Sequence, residues 1–398
     1  MALETAFTMN SSAIKYGLGA TREVGADMQA LGARRVMVVT DPHIVHSETV
    51  AVVLESLRAA GIDAVLFDRV HIEPTDISFK EAISFATQGH FDGYVAVGGG
   101  STIDTAKAAN LYATYPADFL AYVNQPIGQG RPVPGKLKPL IAIPTTAGTG
   151  SETTGVAIFD LLEMRAKTGI AHRELRPVMG IVDPLNTRTL PKMATACTGW
   201  DVLCHAIESI TALPYSQRPA ADHPSLRPAY QGSNPISDIW AARAIEMVSK
   251  SILRALEAPF DDEARGQMLL AATFAGIGFG NAGVHLPHGM AVVLNAPAVF
   301  RFTAAANPER HMYAARLMGA DTSGARLEDA GALLAEKMVS LMRQTGMPSG
   351  LKAVGYGPED IDQLVTGTLP QHRVTKLSPR PADAASLRQL FLDAMAYW

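Results

Sequence analysis

The chain has 398 residues, of which 47% are hydrophobic and 18% charged. This is the balance of a globular protein, and the length makes two domains the expectation. A net charge of −4 provides no basic surface for a nucleic acid, and no stretch reaches the roughly 18 uninterrupted apolar residues of a membrane-spanning helix. The first residues lack the basic start and apolar core of a secretory signal. The two cysteines, Cys197 and Cys204, indicate reduced thiols, so we expect a cytoplasmic protein.

The first half of the chain alternates strand-like and helix-like segments. Short β-branched runs are strand candidates, and they lie at residues 35–40, 63–67, 94–97, 140–143 and 178–182. Helical periodicity separates the early ones, which is typical of a mainly parallel sheet covered by helices. Beyond Pro191 the strand signals nearly vanish and amphipathic helical segments take over. We therefore expect an α/β domain over residues 1–190 and an all-α domain over residues 191–398.

A glycine-rich loop follows the third of these strands. Residues 98–104 read Gly-Gly-Gly-Ser-Thr-Ile-Asp and lead into a predicted helix. Glycines allow the backbone to approach a ligand closely, and the helix behind them offers unpaired N–H groups to a phosphate. Ser101 and Asp104 have the spacing of a capping box, so part of the motif has a structural use. A glycine triplet alone is weak evidence for a nucleotide site.

A second polar loop strengthens this interpretation. Residues 144–152 (Pro-Thr-Thr-Ala-Gly-Thr-Gly-Ser-Glu) also follow a strand, and the carboxyl ends of parallel strands are where open α/β sheets bind ligands. Asp41 ends the first predicted strand, where its carboxylate can accept hydrogen bonds from a ribose and would repel a 2′-phosphate. The sequence therefore predicts a dinucleotide site that prefers NAD to NADP.

Asp201 and His205 form the most informative pair in the helical half. Their i,i+4 spacing places a carboxylate and an imidazole on one helix face within an apolar run. Burial of both groups is costly unless something compensates them. A divalent metal ion would do so, and a direct hydrogen bond between the two side chains is the structural alternative.

These segments together resemble the iron-containing (group III) alcohol dehydrogenase family. The resemblance rests on residues 98–104, 144–152, 183–184 and 199–208, and it runs from Tyr16 to Pro370. Residues 167–170, 227–238 and 274–285 are most similar to the branch that transfers hydride between a hydroxyacid and an oxoacid. The resemblance implies this family's architecture, which is dehydroquinate synthase-like: an α/β domain followed by an all-α domain.

The resemblance also implies roles for individual residues. Asp201 and His205 would be the first two metal ligands, with Fe²⁺ the expected ion and Zn²⁺ possible. Asp41 would contact the adenosine ribose, and Lys167 the nicotinamide ribose. The full set of residues implied to bind NAD is Asp41, Gly99, Gly100, Ser101, Asp104, Thr145, Thr146, Thr149, Thr154 and Lys167.

The chain departs from the family pattern at the remaining metal ligands. The family usually supplies two more histidines, in two separate His-Gly motifs. Here residues 284–290 (Val-His-Leu-Pro-His-Gly-Met) run directly into Ala291, as if the two motifs had been merged. His288 can supply one ligand, and His285 is the candidate for the other, although Pro287 places it before the helix. A compact site using His285, a three-ligand site completed by water, and a loop missing from the sequence all remain open.

The resemblance implies an enzyme that uses NAD and a metal ion to oxidise 4-hydroxybutyrate and reduce 2-oxoglutarate, giving succinic semialdehyde and 2-hydroxyglutarate. We expect His288 at the reacting centre and Arg227, or less favourably Arg218, pairing with a substrate carboxylate. The alternatives are an NAD-dependent alcohol or 4-hydroxybutyrate dehydrogenase that releases NADH, and a non-catalytic relative that lacks one ligand motif. Relatives suggest a homodimer, by analogy alone.

Overall fold

The computed structural model describes residues 2–164, 166–290 and 292–398. The chain forms two compact units. Asn10–Leu190 form the first, and Pro191–Trp398, together with the chain up to Met9, form the second. The sequence analysis assigned those first residues to the α/β domain. They pack with the helical unit because they hydrogen-bond to it: the N–H of Glu4 donates to the carbonyl of Arg218 at 2.9 Å.

The first unit is built on a parallel sheet. Six strands pair in the order β1-β8-β5-β4-β2-β3, and every pair is parallel. Strands β6 and β7 form a separate antiparallel pair. The strands are β1 Ala13–Tyr16, β2 Arg35–Val39, β3 Asp63–Phe67, β4 Gly93–Gly98, β5 Leu140–Pro144, β6 Val156–Leu161, β7 Ala166–Ala171 and β8 Met179–Val182.

Strands β4 and β5 lie at the centre of this sheet, and all of their residues are buried. Their near-continuous apolar sequences suit strands that helices cover on both faces. The helices of this unit are α1 Val24–Ala30, α2 Glu48–Ala59, α3 Asp76–Gly89 and α4 Gly100–Thr114. The parallel α/β fold expected from the sequence is therefore confirmed.

The second unit is helical. Its helices are α5 Lys192–Thr211, α6 Pro235–Glu257, α7 Asp262–Ala282, α8 Leu286–Gly289, α9 Ala296–Thr303, α10 Pro308–Leu317, α11 Ala330–Thr345, α12 Ile361–Thr368, α13 His372–Thr375 and α14 Ala384–Asp393. No helix within the described ranges is long and apolar enough to cross a membrane.

Helix α5 lies among its neighbours at close range. A Cβ atom added at Gly199 would come within 2.7 Å of the end of the Met268 side chain on α7, so glycine lets α5 and α7 approach without moving that side chain. The next residue, Trp200, is fully buried, and its indole N–H donates to the hydroxyl of Thr345 on α11 at 2.8 Å. These contacts fix the rotation of α5 and therefore the direction of its polar face.

Candidate functional site

The two polar loops of the first unit lie against each other. They follow β4 and β5, which are paired in register, with Gly98 opposite Pro144. The N–H of Thr145 donates to the carbonyl of Gly98 at 3.1 Å. A Cβ atom at Gly100 would lie only 2.6 Å from the Thr149 side chain, so glycine is required for the loops to touch. The fold thus brings together the two motifs that the sequence singled out.

Helix α4 begins beside this contact without a capping side chain. Its N-cap is Gly99, which offers no side-chain acceptor, so the expected capping box between Ser101 and Asp104 does not form. The carbonyl of Ser101 instead accepts from the hydroxyl of Thr105 at 2.7 Å. The N–H groups of Thr102 and Ile103 donate to the Gly99 carbonyl, so the earlier N–H groups of this 15-residue helix and the positive end of its dipole are what an anion could use.

The Asp104 carboxylate is used inside the protein. Oδ1 accepts from the hydroxyl of Ser151 at 2.6 Å, and Oδ2 accepts from the N–H of Ile158 at 2.9 Å. These bonds join α4 to the second loop and to β6. A carboxylate repels phosphate, so Asp104 suits a role in holding the loops rather than in touching a pyrophosphate.

Lys107, which the sequence analysis did not single out, is buried where α4 meets the second loop. Its side chain is fully buried, and Nζ donates to the Ser151 hydroxyl at 2.6 Å and to the carbonyl of Val156 at 2.8 Å. It also lies 3.3 Å from both Asp104 and Thr154. Burial lowers the pKa of Lys107, and the Asp104 carboxylate opposes that effect. The i,i+3 spacing of Asp104 and Lys107 on one helix was the available signal.

The other predicted cofactor residues are divided between buried and exposed positions. Asp41 is buried, and its Oδ1 accepts from the N–H of His43 at 2.9 Å. Thr154 is buried, whereas Thr146 is half-buried, and Thr146 lies 3.3 Å from a Cβ placed at Gly99. Lys167 is half-exposed on β7 and pairs with Glu73 at 2.5 Å, so its predicted contact with the nicotinamide ribose requires exchange of that ion pair.

Three side chains in the helical unit converge as a potential metal site. Asp201, His205 and His288 each offer a ligand atom, and these atoms lie within 4.8 Å of one another. Asp201 Oδ2 is 3.7 Å from Nδ1 of His205, and Oδ1 is 3.6 Å from Nε2 of His288. The two imidazole rings stack with centroids 4.4 Å apart. The i,i+4 pair on α5 thus meets a histidine on α8.

This donor set fits a divalent metal ion. Nδ1 of His205 is buried and has no hydrogen-bond partner among the described residues, which is costly for a polar atom. The His205 ring also stacks on Phe279, with the two ring centroids 4.0 Å apart. Two imidazole nitrogens and a carboxylate are ligands for Fe²⁺, Zn²⁺ and similar ions, and a bound ion would satisfy the orphaned nitrogen.

Glu208 supports this cluster and was also missed in the sequence analysis. It lies on α5, seven residues after Asp201, and is fully buried. Oε1 is 2.5 Å from Nδ1 of His288, and Oε2 accepts from the N–H of His285 at 2.6 Å. A metal-binding histidine commonly donates its second N–H to a carboxylate, which orients the ring. The signal in the sequence was a third ionisable residue on the face of Asp201.

The surroundings of His205 and His288 shift the pKa values of the two imidazoles in opposite directions. Burial lowers the pKa of His205 to about 4, so its imidazole is neutral at pH 7. Burial opposes the charged form of His288 as well, but Glu208 and Asp201 outweigh it and raise the pKa of His288 to about 9. His288 therefore carries a proton that a metal ion would displace, and metal binding is coupled to proton release.

His285 lies outside the cluster. It is the N-cap of α8, as Pro287 in the first turn predicts, and its Nε2 is 2.9 Å from the hydroxyl of Thr211. Thr211 is ten residues beyond Asp201 on α5, or about 15 Å along the helix axis. His285 and His288 do not share a helix face because α8 starts between them. The structure thus brings three of the four predicted ligands together and directs His285 elsewhere.

Arg227, the predicted carboxylate-binding residue, already has a carboxylate partner. Its Nε and Nη2 donate to the two oxygens of Glu4, each at 3.0 Å. Arg218 donates through Nη1 to the carbonyl of Tyr230 at 2.8 Å. Substrate binding by Arg227 stays a prediction, and it requires Glu4 to be displaced.

Comparison with known proteins identifies the family. Residues 11–184 match the model of the iron-containing alcohol dehydrogenase family, and residues 229–395 match the C-terminal model of the Fe-containing alcohol dehydrogenase family. The chain belongs to the iron-containing alcohol dehydrogenase family and is an oxidoreductase of that type.

Individual relatives support this assignment. The mitochondrial hydroxyacid-oxoacid transhydrogenase of Bos taurus is 52% identical over 98% of this chain and 90% of its own length. A 1,3-propanediol oxidoreductase structure has a TM-score of 0.88 and 27% identity, covering 98% of this chain and 100% of its own. A sulfoacetaldehyde reductase of Bifidobacterium kashiwanohense, solved in complex with NAD⁺, has a TM-score of 0.79 and 25% identity, with 99% of both chains covered.

The alignment with the bovine relative also bears on the merged His-Gly motif. It spans 419 positions, whereas this chain has 398 residues. The relative therefore has at least 21 residues, the difference between these lengths, that lack a counterpart here. A shortened segment is what the direct run from His288 into Ala291 predicts.

The expected cytoplasmic location is contradicted by these relatives. The 52%-identical proteins of Bos taurus and Xenopus tropicalis are both named as mitochondrial. The expectation rested on the interpretation of both cysteines as reduced thiols, which indicates a reducing rather than an oxidising compartment. They do not distinguish one reducing compartment from another, so the location was wrongly assigned.

Proposed function

We propose that this protein is a hydroxyacid-oxoacid transhydrogenase. It would oxidise 4-hydroxybutyrate to succinic semialdehyde and reduce 2-oxoglutarate to 2-hydroxyglutarate. One hydride and one proton leave the first substrate and are added to the second, so 2-oxoglutarate is the net oxidant and NAD is regenerated in each cycle. The 52% identity over nearly the whole chain is the observation that carries this proposal, and the convergence of Asp201, His205 and His288 supports it.

The first unit would hold NAD at its two loops. The first turn of α4, with Gly99 as its N-cap, would bind the pyrophosphate through backbone N–H groups. Lys107 and Asp104 would keep the two loops together from beneath. Asp41 would accept hydrogen bonds from the adenosine ribose. NAD, when bound, supplies the position that receives the hydride and returns it.

The second unit would hold a divalent ion through Asp201, His205 and His288. We propose Fe²⁺, with Zn²⁺ as the other candidate, because the donor set accommodates both. Such an ion, when bound, polarises the substrate oxygen and lowers its pKa. Glu208 would retain the proton on Nδ1 of His288 and leave Nε2 free for coordination. Phe279 would exclude water from one face of His205.

A label-transfer assay tests this function without added cofactor. Purified protein supplied with Fe²⁺ is incubated with 4-hydroxybutyrate that carries deuterium at C4 and with 2-oxoglutarate. Deuterium at C2 of 2-hydroxyglutarate, detected by mass spectrometry, is the expected result. An excess of unlabelled NADH then tests retention, because a cofactor that stays bound keeps the label from dilution.

The plain dehydrogenase is the second candidate, since structural neighbours include an alcohol dehydrogenase from Oenococcus oeni with 28% identity and a TM-score of 0.87. It predicts net NADH from 4-hydroxybutyrate and NAD alone, and label diluted by free NADH. Absence of product in both assays would favour a non-catalytic relative.

A homodimer is also proposed, by analogy with relatives, and light scattering in solution tests it.

A further inference from the structure

Arg373 carries an unsatisfied donor in the helical unit. Its Nη1 is buried and has no hydrogen-bond partner among the residues that the structure describes. A buried donor without a partner costs free energy, and donors attached to a charged group cost more. Native structures rarely keep such groups unless a water molecule, a ligand or an ion satisfies them. The position of Arg373 therefore indicates which ligand it meets.

The segment that bears Arg373 is attached to the segment that bears His288. Helix α13 packs against α8, and the side-chain amide of Gln371 donates to the carbonyl of Gly289 at 3.2 Å. Gly289 directly follows the predicted metal ligand His288. Arg373 is two residues beyond Gln371, so its backbone is held close to the metal cluster.

Aromatic rings connect the Arg373 side chain to the same cluster. Its guanidinium carbon lies 5.1 Å from the centre of the Tyr230 ring. Tyr230 meets Phe279 edge to face at a centroid distance of 6.4 Å, and Phe279 stacks on His205 at 4.0 Å. The guanidinium is thus separated from a metal ligand by two aromatic rings.

A second guanidinium reaches the same tyrosine. Arg218 donates to the carbonyl of Tyr230 at 2.8 Å, while Arg373 lies over its ring. Tyr230 is itself buried, so this positive charge is concentrated where water is scarce. Arg227 differs, because both of its hydrogen-bonding nitrogens already face Glu4. Of these three arginines, Arg373 is the one with a buried nitrogen that has no hydrogen-bond partner in the described part of the chain.

We propose that Arg373 binds a carboxylate of the hydroxyacid or oxoacid substrate and so determines the preference for acids over uncharged alcohols. This inference rests on the proposed function and specifies its substrate class. A guanidinium suits the role because its planar N–H groups match the two oxygens of a carboxylate. Cation–π contact with Tyr230 holds the group in place before the substrate arrives.

The test is the steady-state kinetics of Arg373→Ala in the metal-loaded enzyme. We expect the KM for 2-oxoglutarate to rise about 10- to 100-fold, the range for loss of a charge-assisted hydrogen bond, with a smaller change in kcat. Added guanidinium ion should restore part of the affinity, which a merely structural role would not produce. Arg373→Lys should retain an intermediate affinity, and Arg326→Ala, at an exposed arginine paired with Glu328, is the matched control.

Binding of glutarate, measured by calorimetry, separates this inference from the proposed function. Loss of glutarate affinity in Arg373→Ala supports the inference even if the wild-type protein shows no label transfer, which would contradict only the transhydrogenase. A wild-type enzyme that transfers label, with Arg373→Ala unchanged in KM and in glutarate affinity, overturns the inference alone. If Arg373→Ala fails to fold, Arg373→Lys and Arg373→Gln give the same comparison.

Discussion

Nδ1 of His288 lies 2.5 Å from Oε1 of Glu208, while Nε2 of the same ring faces Asp201 at 3.6 Å. Glu208 and His288 are 80 positions apart in the chain, yet both nitrogens of the imidazole have a defined partner. A carboxylate can only accept hydrogen bonds, so it requires a proton on Nδ1. The lone pair of a neutral ring is then on Nε2, which points into the cluster.

Replacement of Glu208 by glutamine tests this relationship. Glutamine has one acceptor oxygen and one N–H₂ group in place of two acceptors. It cannot accept from both the His285 N–H and the Nδ1–H of His288, so one bond is lost or the ring takes the wrong tautomer. We expect the affinity for Zn²⁺ or Co²⁺ to fall about 10- to 100-fold, as measured by titration.

The control for this variant is Glu246→Gln, at a partly exposed glutamate paired with Arg243 on α6. It should leave the metal affinity unchanged. ¹⁵N chemical shifts of the imidazoles in the Zn²⁺ form would report the tautomer directly. Equal metal affinity in Glu208→Gln and wild type, with Nδ1 of His288 protonated in both, would show that Glu208 has no such effect.

Substitution of Asp201 by alanine should abolish metal retention. The remaining donors, His205 and His288, are then too few for a stable site, and Glu208 is already engaged with His288. NAD affinity should stay largely the same, because the cofactor loops belong to the other folding unit. Metal content by mass spectrometry and NAD binding by fluorescence measure the two effects. A variant with the metal content of the wild type would remove Asp201 from the ligand set.

Features of the fold and of the metal cluster could be predicted from the sequence where the residues that produce them are close together in the chain. Asp201 and His205 are one helical turn apart, so spacing alone put them on one face. The central strands β4 and β5 were readable because they are continuous apolar runs. Strand β1 is only four residues long and partly exposed, and it is a strand because it pairs with β8, more than 160 residues away in the chain.

The direction of side chains was the least predictable feature. Arg227 stood out as an arginine in a loop, but its partner Glu4 lies 223 positions earlier. Arg373 gave no pattern at all, since its distinguishing property is a buried Nη1 that has no hydrogen-bond partner within residues 2–164, 166–290 and 292–398. Such relationships arise from tertiary packing, and a single sequence does not encode them as spacing.

Lys107→Met should destabilise the first unit. Lys107 is fully buried with the Asp104 carboxylate 3.3 Å away, and its loss leaves that carboxylate without its cation, with only the Ser151 hydroxyl and the Ile158 N–H to compensate it. Breaking a buried pair in this way costs about 3–5 kcal/mol, which urea unfolding would detect. Lys80→Met is the control, because Lys80 is 53% exposed in its pair with Asp76 and exposed pairs contribute about 0–1 kcal/mol. Similar losses in both variants would contradict a special role for Lys107.

The cofactor preference should depend on Asp41. Its carboxylate is buried at the end of β2, where a negative charge would oppose the 2′-phosphate of NADP. Asp41→Ser removes the charge and keeps a short acceptor for the N–H of His43. We expect the ratio of kcat/KM for NADP to that for NAD to rise about tenfold or more, because juxtaposed like charges weaken binding, as measured with an alcohol substrate in the direction that forms reduced cofactor. Asp41→Glu, which keeps the charge, should retain the preference for NAD. An unchanged ratio in Asp41→Ser would mean that another group excludes the 2′-phosphate.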